Sequence, residues 1–159
     1  MKESTLKAIL RLFAISCNLL SSDENCNLSF KIIKEYLFQY TDYDEAKKYF
    51  QIFEYYYKDY KGRSSKKKKE KDPLFNIKAV IICEQIKKNL LLADRIKILT
   101  TIIQFYRVEN ELDNYQEDFI NTIGISFNID IDTLFEIKMF IFKNLDKLKK
   151  SQNLLILNK

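Results

Sequence analysis

The sequence contains no histidine, only two glycines and only one proline. Without histidine, the chain has no imidazole to act as a general base, to activate a nucleophile or to ligate a metal. Many tight β-hairpins would need more glycine at their turns, so a protein of that class is not expected. Leu, Ile, Phe, Lys and Glu instead recur at helical spacing. The composition therefore predicts an all-α protein.

The three cysteines, Cys17, Cys26 and Cys83, are widely spaced and form no CxxC pair. This spacing argues against a zinc site and against a disulfide framework, and it predicts a reducing, cytoplasmic setting. No apolar run approaches the roughly 18 residues that a transmembrane helix requires. Arg11 interrupts the apolar N-terminal run, so we expect an amphipathic first helix there rather than a signal sequence.

A chain of 159 residues fits one domain with a substantial core, which we place at residues 1–145. Ser4 or Thr5 is expected to cap the first helix, Thr41 or Asp42 the third, and Asp130 or Asp132 the last. The apolar periodicity predicts helices over 4–20, 29–40, 42–60, 76–89, 94–107, 114–127 and from about 130 to 142.

The predicted helices form two similar halves. A helix, a polar turn and two further helices occupy 4–60, and the same order recurs over 92–142. Residues 76–89 are apolar on most sides of their middle turns, which predicts a central, buried helix joining the halves. We therefore expect a bundle of about seven helices in two pseudo-repeated halves.

Residues 61–73, KGRSSKKKKEKDP, contain seven basic and two acidic residues. Their net charge of +5 equals that of the whole chain, so the excess positive charge belongs to this segment. Like charges repel and resist burial, so the segment is predicted to be a disordered loop. Besides acting as a solvated linker, it could contact an anionic surface such as lipid or RNA through Lys66, Lys67, Lys68 and Lys69.

Residues 146–159 are predicted to be a linker or the start of a following domain. Their short apolar run LLILN (154–158) fits either a frayed helix end or the first strand of that domain.

The most informative local pattern is a helix, an acidic turn and a second helix over 102–125. Carboxylate oxygens suit hard cations, so this turn and the N-terminal turn could bind Ca²⁺ or Mg²⁺. An EF-hand is excluded because Asn114 and Ile120 stand where its glycine and bidentate glutamate belong. Alternatively, the carboxylates serve only to cap a helix N-terminus. The candidate ligands are Glu109, Glu111, Asp113 and Asp23.

Eight of the ten tyrosines lie between Tyr36 and Tyr60, directly before the lysine run. Base stacking is not favoured, because nucleic-acid binders usually spread positive charge over a face. We therefore expect no specific nucleic-acid binding. Tyr55 and Tyr60 could form a partner-facing strip, and the alternative is that these rings form an aromatic edge of the core.

No glycine-rich phosphate loop, nucleophile elbow or buried carboxylate pair is recognisable. We therefore expect a non-enzymatic domain that interacts with a protein partner or with downstream domains of the same polypeptide.

Three stretches resemble the tellurite-resistance TerB-like helical domain: LKAILRLFAIS (6–16), IICEQIKKNLLLADRIKILTTIIQFY (81–106) and VENELDNYQEDFINTIGISFNI (108–129). The likeness spans about 4–142 and is greatest to the version at the N-terminus of large ABC-transporter-like ATPases of Bacteroidetes. It implies a helical bundle that is the N-terminal part of such an ATPase, in the cytoplasm at the inner face of the membrane.

The TerB-like pattern has an aspartate–glycine turn followed by a glutamate on the next helix, and these acids are thought to bind metal. Glu109 matches the aspartate, Asn110 the glycine and Gln116 the glutamate, while Leu112 matches the apolar position between them. In the first half Asp23 is the nearest match, and no acid stands at the corresponding position of the following helix, which Phe30 to Ile33 occupy. The resemblance thus implies a divalent-metal-binding stress-response domain as the alternative to an interaction domain.

Overall fold

The computed structural model describes residues 1–64 and 74–143, and in these two stretches the chain forms seven α-helices and no β-strand. The prediction of an all-α bundle of about seven helices is confirmed. Three helices precede the fourth helix and three follow it, as the two predicted halves require. The helices are α1 (Glu3–Cys17), α2 (Asp23–Phe38), α3 (Tyr43–Ser64), α4 (Leu74–Lys87), α5 (Leu92–Tyr106), α6 (Asn114–Ser126) and α7 (131–143).

Short polar side chains cap four of these helices, because each accepts a hydrogen bond from a backbone N–H that the helix leaves unpaired. Ser22 accepts from Asn25 N at the start of α2, and Asp113 accepts from Gln116 N at the start of α6. Asp42 and Asp130 cap α3 and α7, which confirms the two predicted caps at those positions.

The start of α1 differs from the prediction. Its N-cap is Lys2, and no side chain in the described part of the chain caps it. Ser4 and Thr5 lie inside the first turn, so the predicted cap is wrong. The helix begins earlier because Glu3 forms an ion pair with Lys7 one turn later, at 2.7 Å, which stabilises that first turn.

The central helix of the bundle is α1, which packs against α2, α3, α4 and α5. Most of its residues are buried, and Phe13 in its middle contacts Tyr36 of α2 and Phe105 of α5 edge to face. The prediction that 76–89 is the central buried helix is wrong. α4 buries one side through Phe75, Ala79 and Cys83 and exposes apolar residues on the other.

α3 continues through Ser64, four residues beyond the predicted helix end at Tyr60. The predicted disorder is therefore wrong for residues 61–64. Lys61 forms an ion pair with Asp23 of α2 at 2.7 Å, and this contact explains why the helix extends into the basic segment. The rest of the predicted loop and the predicted linker at 146–159 lie outside the described residues.

No helix within 1–64 or 74–143 is long and apolar enough to cross a membrane.

The two glycines occupy contrasting helical positions, and they provide a matched test of the packing. A Cβ added at Gly62 meets no described atom within 4 Å, so Gly62→Ala is expected to stabilise α3 by about 0.5–1 kcal/mol. A Cβ at Gly124 would lie 3.2 Å from Leu134 Cδ2, where α6 approaches α7. Gly124→Ala should therefore lose most or all of that gain to overpacking. Urea unfolding of both variants measures the difference, and equal gains would contradict the close α6–α7 contact.

Candidate functional site

The acidic turn predicted from the sequence links α5 to α6. A 3-10 turn, Arg107–Glu109, follows α5, and Asn110 then adopts a left-handed backbone conformation with φ of 70°. Glycine adopts this conformation most readily, and asparagine tolerates it better than most other residues. The chain reverses here, so Glu109 is directed back towards the turn between α1 and α2.

Glu109 accepts hydrogen bonds from three groups on two different turns. Its Oε1 accepts from Ser21 N at 2.5 Å and from Asn25 Nδ2 at 3.1 Å. Its Oε2 accepts from Gln116 Nε2 at 2.6 Å. Ser21 and Asn25 belong to the first half of the chain, whereas Glu109 and Gln116 belong to the second. This carboxylate therefore joins the two halves where their corresponding turns meet.

Gln116 is fully buried, and its side-chain amide has partners for both its nitrogen and its oxygen. The nitrogen donates to Glu109 Oε2 and, at 3.0 Å, to the carbonyl oxygen of Leu19. The oxygen accepts from Asp113 N at 3.1 Å, and Asp113 Oδ1 accepts in return from Gln116 N at 2.8 Å. This reciprocal pair is a capping box that also fixes the position of the buried amide.

Partial burial of Glu109 favours the neutral carboxyl, but the hydrogen bonds from Gln116, Ser21 and Asn25 outweigh it. They hold the pKa of Glu109 below its ordinary value, so the group is a carboxylate at neutral pH.

The structure separates the four acids predicted as metal ligands. Asp113 caps α6, Asp23 pairs with Lys61, and Glu111 is exposed in the turn. Glu109 and Asp113 both contact Gln116, but the Asp113 carboxylate is used in the capping box and only the Glu109 carboxylate reaches the turn between α1 and α2. The described residues contain no group of three or more His, Cys, Asp or Glu side chains that could hold a metal ion.

The contacts of Gln116 with Leu19 and of Glu109 with Ser21 and Asn25 were not predicted from the sequence. Their partners lie 97, 88 and 84 positions apart in the sequence, and no local pattern reports such pairs. Two features of the sequence pointed towards these contacts. The resemblance aligned Glu109 and Gln116 with one site, and the two halves have similar turns.

A second feature is the apolar outer face of α4. Leu74, Ile77 and Ile81 follow one another at helical spacing, and their exposed fractions are 52%, 58% and 56%. Ile81 also lines a groove of about 330 Å³ that runs between α4 and α3 and reaches Arg11 of α1. We call the apolar face and this groove together the α4 surface.

The two tyrosines predicted to face a partner differ in exposure. Tyr55 lines the groove and is 69% exposed. Tyr60 also lines the groove but is only 8% exposed, so little of its side chain is available to a partner. Its ring packs edge to face on Phe75 at 6.1 Å and lies beneath Lys78, which makes it part of the α3–α4 contact.

A second apolar cleft, also of about 330 Å³, lies between α6 and α7. Ile125, Ile131 and Phe135 are exposed at its edges, and Leu134 is buried at its floor. Lys138 at its rim already contacts Glu117 and Asn121. The lysines predicted to contact an anionic surface, Lys66 to Lys69, lie outside the described residues.

The whole chain matches no protein-family model, no curated protein and no solved structure. The TerB-like resemblance therefore stays a prediction.

Replacement of Gln116 by glutamate tests the buried amide. Glutamate keeps the shape but loses both donors, and it places a second carboxylate against Glu109. Gln116→Glu is expected to lower the free energy of unfolding by roughly 2–4 kcal/mol at pH 7. Urea unfolding measures the change. Gln51→Glu, the same substitution at an exposed position of α3, is the control and should stay within about 0.5 kcal/mol of the unmodified protein. Equal effects of the two changes would contradict the network.

The low pKa of Glu109 predicts a specific pH dependence. A carboxyl whose folded pKa lies below its unfolded value of about 4.3 adds stability above that pH. This stability is lost as the pH falls through the folded pKa. Glu109→Gln should therefore destabilise the protein at pH 7 and approach the stability of the unmodified protein near pH 3, as measured by urea unfolding across that range. Glu111→Gln removes a carboxylate from the same turn but none of these bonds. If the pH profile of Glu111→Gln matches that of Glu109→Gln, the pH dependence does not come from the hydrogen bonds of Glu109.

Proposed function

We propose that this chain is a non-enzymatic interaction domain whose binding site is the α4 surface. Its ligand is an amphipathic helix with acidic flanks, supplied by a protein partner or by a downstream domain of the same polypeptide. The observation that carries this proposal is the row of exposed apolar residues along α4 beside a groove lined with tyrosines.

The apolar row has the form of a helix-binding site. Large apolar residues scattered singly over a surface are normal, whereas a continuous apolar strip is characteristic of an interface. Leu74, Ile77 and Ile81 form such a strip, and Tyr55 stands exposed in the adjoining groove. A partner helix with apolar residues at positions i, i+3, i+4 and i+7 presents a matching stripe. Tyrosine is also one of the residues that contribute most to protein–protein binding.

Charge along the groove favours an acidic partner. Arg11 and Lys78 line the groove together with one acid, Asp59. The cleft between α6 and α7 lacks this preference, because its rim lysine is already engaged by Glu117. Complementary charge mainly speeds association and selects among partners, so it distinguishes these two apolar surfaces.

The wider setting at the N-terminus of an ABC-transporter-like ATPase, at the inner face of the membrane, is part of the proposal. Two features support the TerB-like prediction behind it. Asn110 has the left-handed conformation at the position aligned with a glycine, and Glu109 contacts Gln116 at the aligned acidic positions.

The metal-binding alternative depends on Glu109 and on backbone or amide oxygens near it. A cation that binds only the folded state, present at about 100 times its Kd, would add roughly 2.7 kcal/mol to stability. Thermal melting with millimolar Ca²⁺ or Mg²⁺ decides this alternative, and an unchanged melting temperature excludes it.

The test of the α4 surface uses a synthetic helical peptide that carries leucines at i, i+3, i+4 and i+7 and glutamates beside them. Titration into the isotopically labelled protein is expected to shift amide resonances along α4 and the second half of α3. Ile77→Gln combined with Ile81→Gln should weaken binding about tenfold, equivalent to 1.4 kcal/mol, since apolar contact is lost. Both positions are more than half exposed, so stability should change by less than about 1 kcal/mol.

The matched control combines Ile125→Gln with Ile131→Gln, which removes two exposed isoleucines from the cleft between α6 and α7. This control should bind the peptide as the unmodified protein does. If instead the control loses binding and the α4 variant keeps it, the interface lies at the other cleft and the proposal is wrong. A peptide with serines in place of the leucines should not bind, and binding by it would mean that charge alone is recognised.

A further inference from the structure

The cleft between α6 and α7 is apolar, and no element in the described part of the chain covers it. Ile125, Ile131 and Phe135 line it with exposed fractions of 74%, 80% and 61%. Leu134 and Ile129 also line it and are buried. Large apolar side chains that stand exposed beside one another typically mark a binding surface. The cleft therefore calls for an apolar occupant.

The charge of the two helices indicates what kind of occupant fits. Residues 114–143 contain five acids and two lysines, a net charge of −3. One of these lysines, Lys138 at the cleft rim, already pairs with Glu117 of α6. A basic segment beside an apolar one would thus complement the cleft. The other acids each lie within three positions of a residue that lines the cleft: Asp118, Asp130, Asp132 and Glu136.

The same chain carries a segment of this composition directly after α7. Residues 144–159, NLDKLKKSQNLLILNK, lie outside the described residues, and their sequence contains four lysines and one aspartate, a net charge of +3. Three of these lysines precede LLIL (154–157), an uninterrupted apolar run. The segment therefore combines the two features that complement the cleft.

The connection is long enough for the run to reach the cleft. An α-helix rises about 1.5 Å per residue, so Phe135 lies about 12 Å back along α7 from Lys143. Ten residues, 144–153, separate Lys143 from the run, and an extended chain of that length spans roughly 33 Å. This is enough for the chain to reverse direction after α7. A short tether also gives the run an effective concentration of roughly 1 mM at the cleft, so that even modest affinity suffices.

We propose that the cleft between α6 and α7 is the docking site for the apolar run 154–157 of the same chain. The run covers Ile125, Ile131 and Phe135, and the lysines before it lie near the acids of α6 and α7. Docking removes apolar surface from water on both sides of the contact, and the opposite charges add attraction. This inference is independent of the α4 surface, because no residue lines both the cleft and the groove beside α4.

A spin label attached through Ser151→Cys tests the docking in the full chain. The native cysteines are buried, so the added thiol is expected to react selectively, with the unmodified protein as the labelling control. In isotopically labelled protein, the spin label should broaden the amide signals of Ile125 and Ile131. The signal of Tyr43 should keep its intensity, because Tyr43 begins α3, which packs against α1 and α2.

Serine at all four positions 154–157 provides the baseline for this experiment. That variant keeps the tether and the lysines, so its broadening reports only the connection to α7. The unmodified run should broaden Ile125 and Ile131 well beyond this baseline. Broadening equal to the baseline would overturn the proposal. So would extra broadening at Ile77 and Ile81, which would place the run on the α4 surface.

Substitutions in the cleft locate the contact. Ile125→Gln combined with Ile131→Gln should reduce the broadening of the Phe135 signal to the baseline. Both isoleucines are mostly exposed, so the melting temperature should change little. The matched control, Ile77→Gln combined with Ile81→Gln, should leave the broadening unchanged. If the two pairs have equal effects, or if neither has any, the cleft is not the docking site.

A mixture distinguishes docking within one chain from docking between two copies. Spin-labelled protein without isotopes is added to isotopically labelled protein without a spin label. No broadening is expected in this sample. Broadening at Ile125 and Ile131 would mean that the run occupies the cleft of a second copy, and it would overturn docking within the chain.

A synthetic peptide of residues 144–159 measures the affinity directly, with the variant carrying serines at 154–157 as the receptor. Since the tether supplies roughly 1 mM, docking in the intact chain requires a Kd of about 1 mM or tighter. A peptide with serines at the same four positions keeps the charge and should not bind. Binding by the serine peptide would mean that charge alone is recognised. That result, or a Kd far weaker than the effective concentration, would overturn the proposal.

Discussion

The buried amide of Gln116 is the interaction on which the arrangement of the two halves depends. It donates to Glu109 and to the Leu19 carbonyl, while its oxygen closes the capping box of α6. A neutral amide supplies two donors beside a carboxylate without adding charge, which a glutamate at the same position could not do. The start of α6, the acidic turn and the turn after α1 are therefore held together by one side chain.

The surfaces of the domain follow from the position of α1 at the centre. Because α2, α3, α4 and α5 all pack against α1, α4 contacts the core on one side only. Its outer face keeps apolar residues that no described element covers, and the first turn of α1 opens into a basic pocket beside it. The α4 surface and this basic pocket thus lie next to each other and share Arg11.

Sequence patterns located the helices and two of their caps, Asp42 and Asp130, because capping and helical periodicity depend on residues a few positions apart. They misjudged which helix is central. The first helix has an amphipathic pattern and 76–89 is apolar on most sides, but periodicity does not state whether a neighbouring helix covers a given side. The same limit applies to the tyrosines, since only packing against Phe75 shows that Tyr60 is internal whereas Tyr55 is exposed.

By itself, the sequence determined the all-α class, the order of seven helices in two halves and the position of the acidic turn. These features follow from local hydrogen bonding and from the spacing of apolar residues along the chain. The tertiary structure alone decided that Glu109 contacts Ser21 and Asn25, that Asp23 pairs with Lys61 instead, and that Arg11 and Lys88 line the same pocket. Such contacts join side chains far apart in the sequence, so their geometry exists only once the helices have packed around α1.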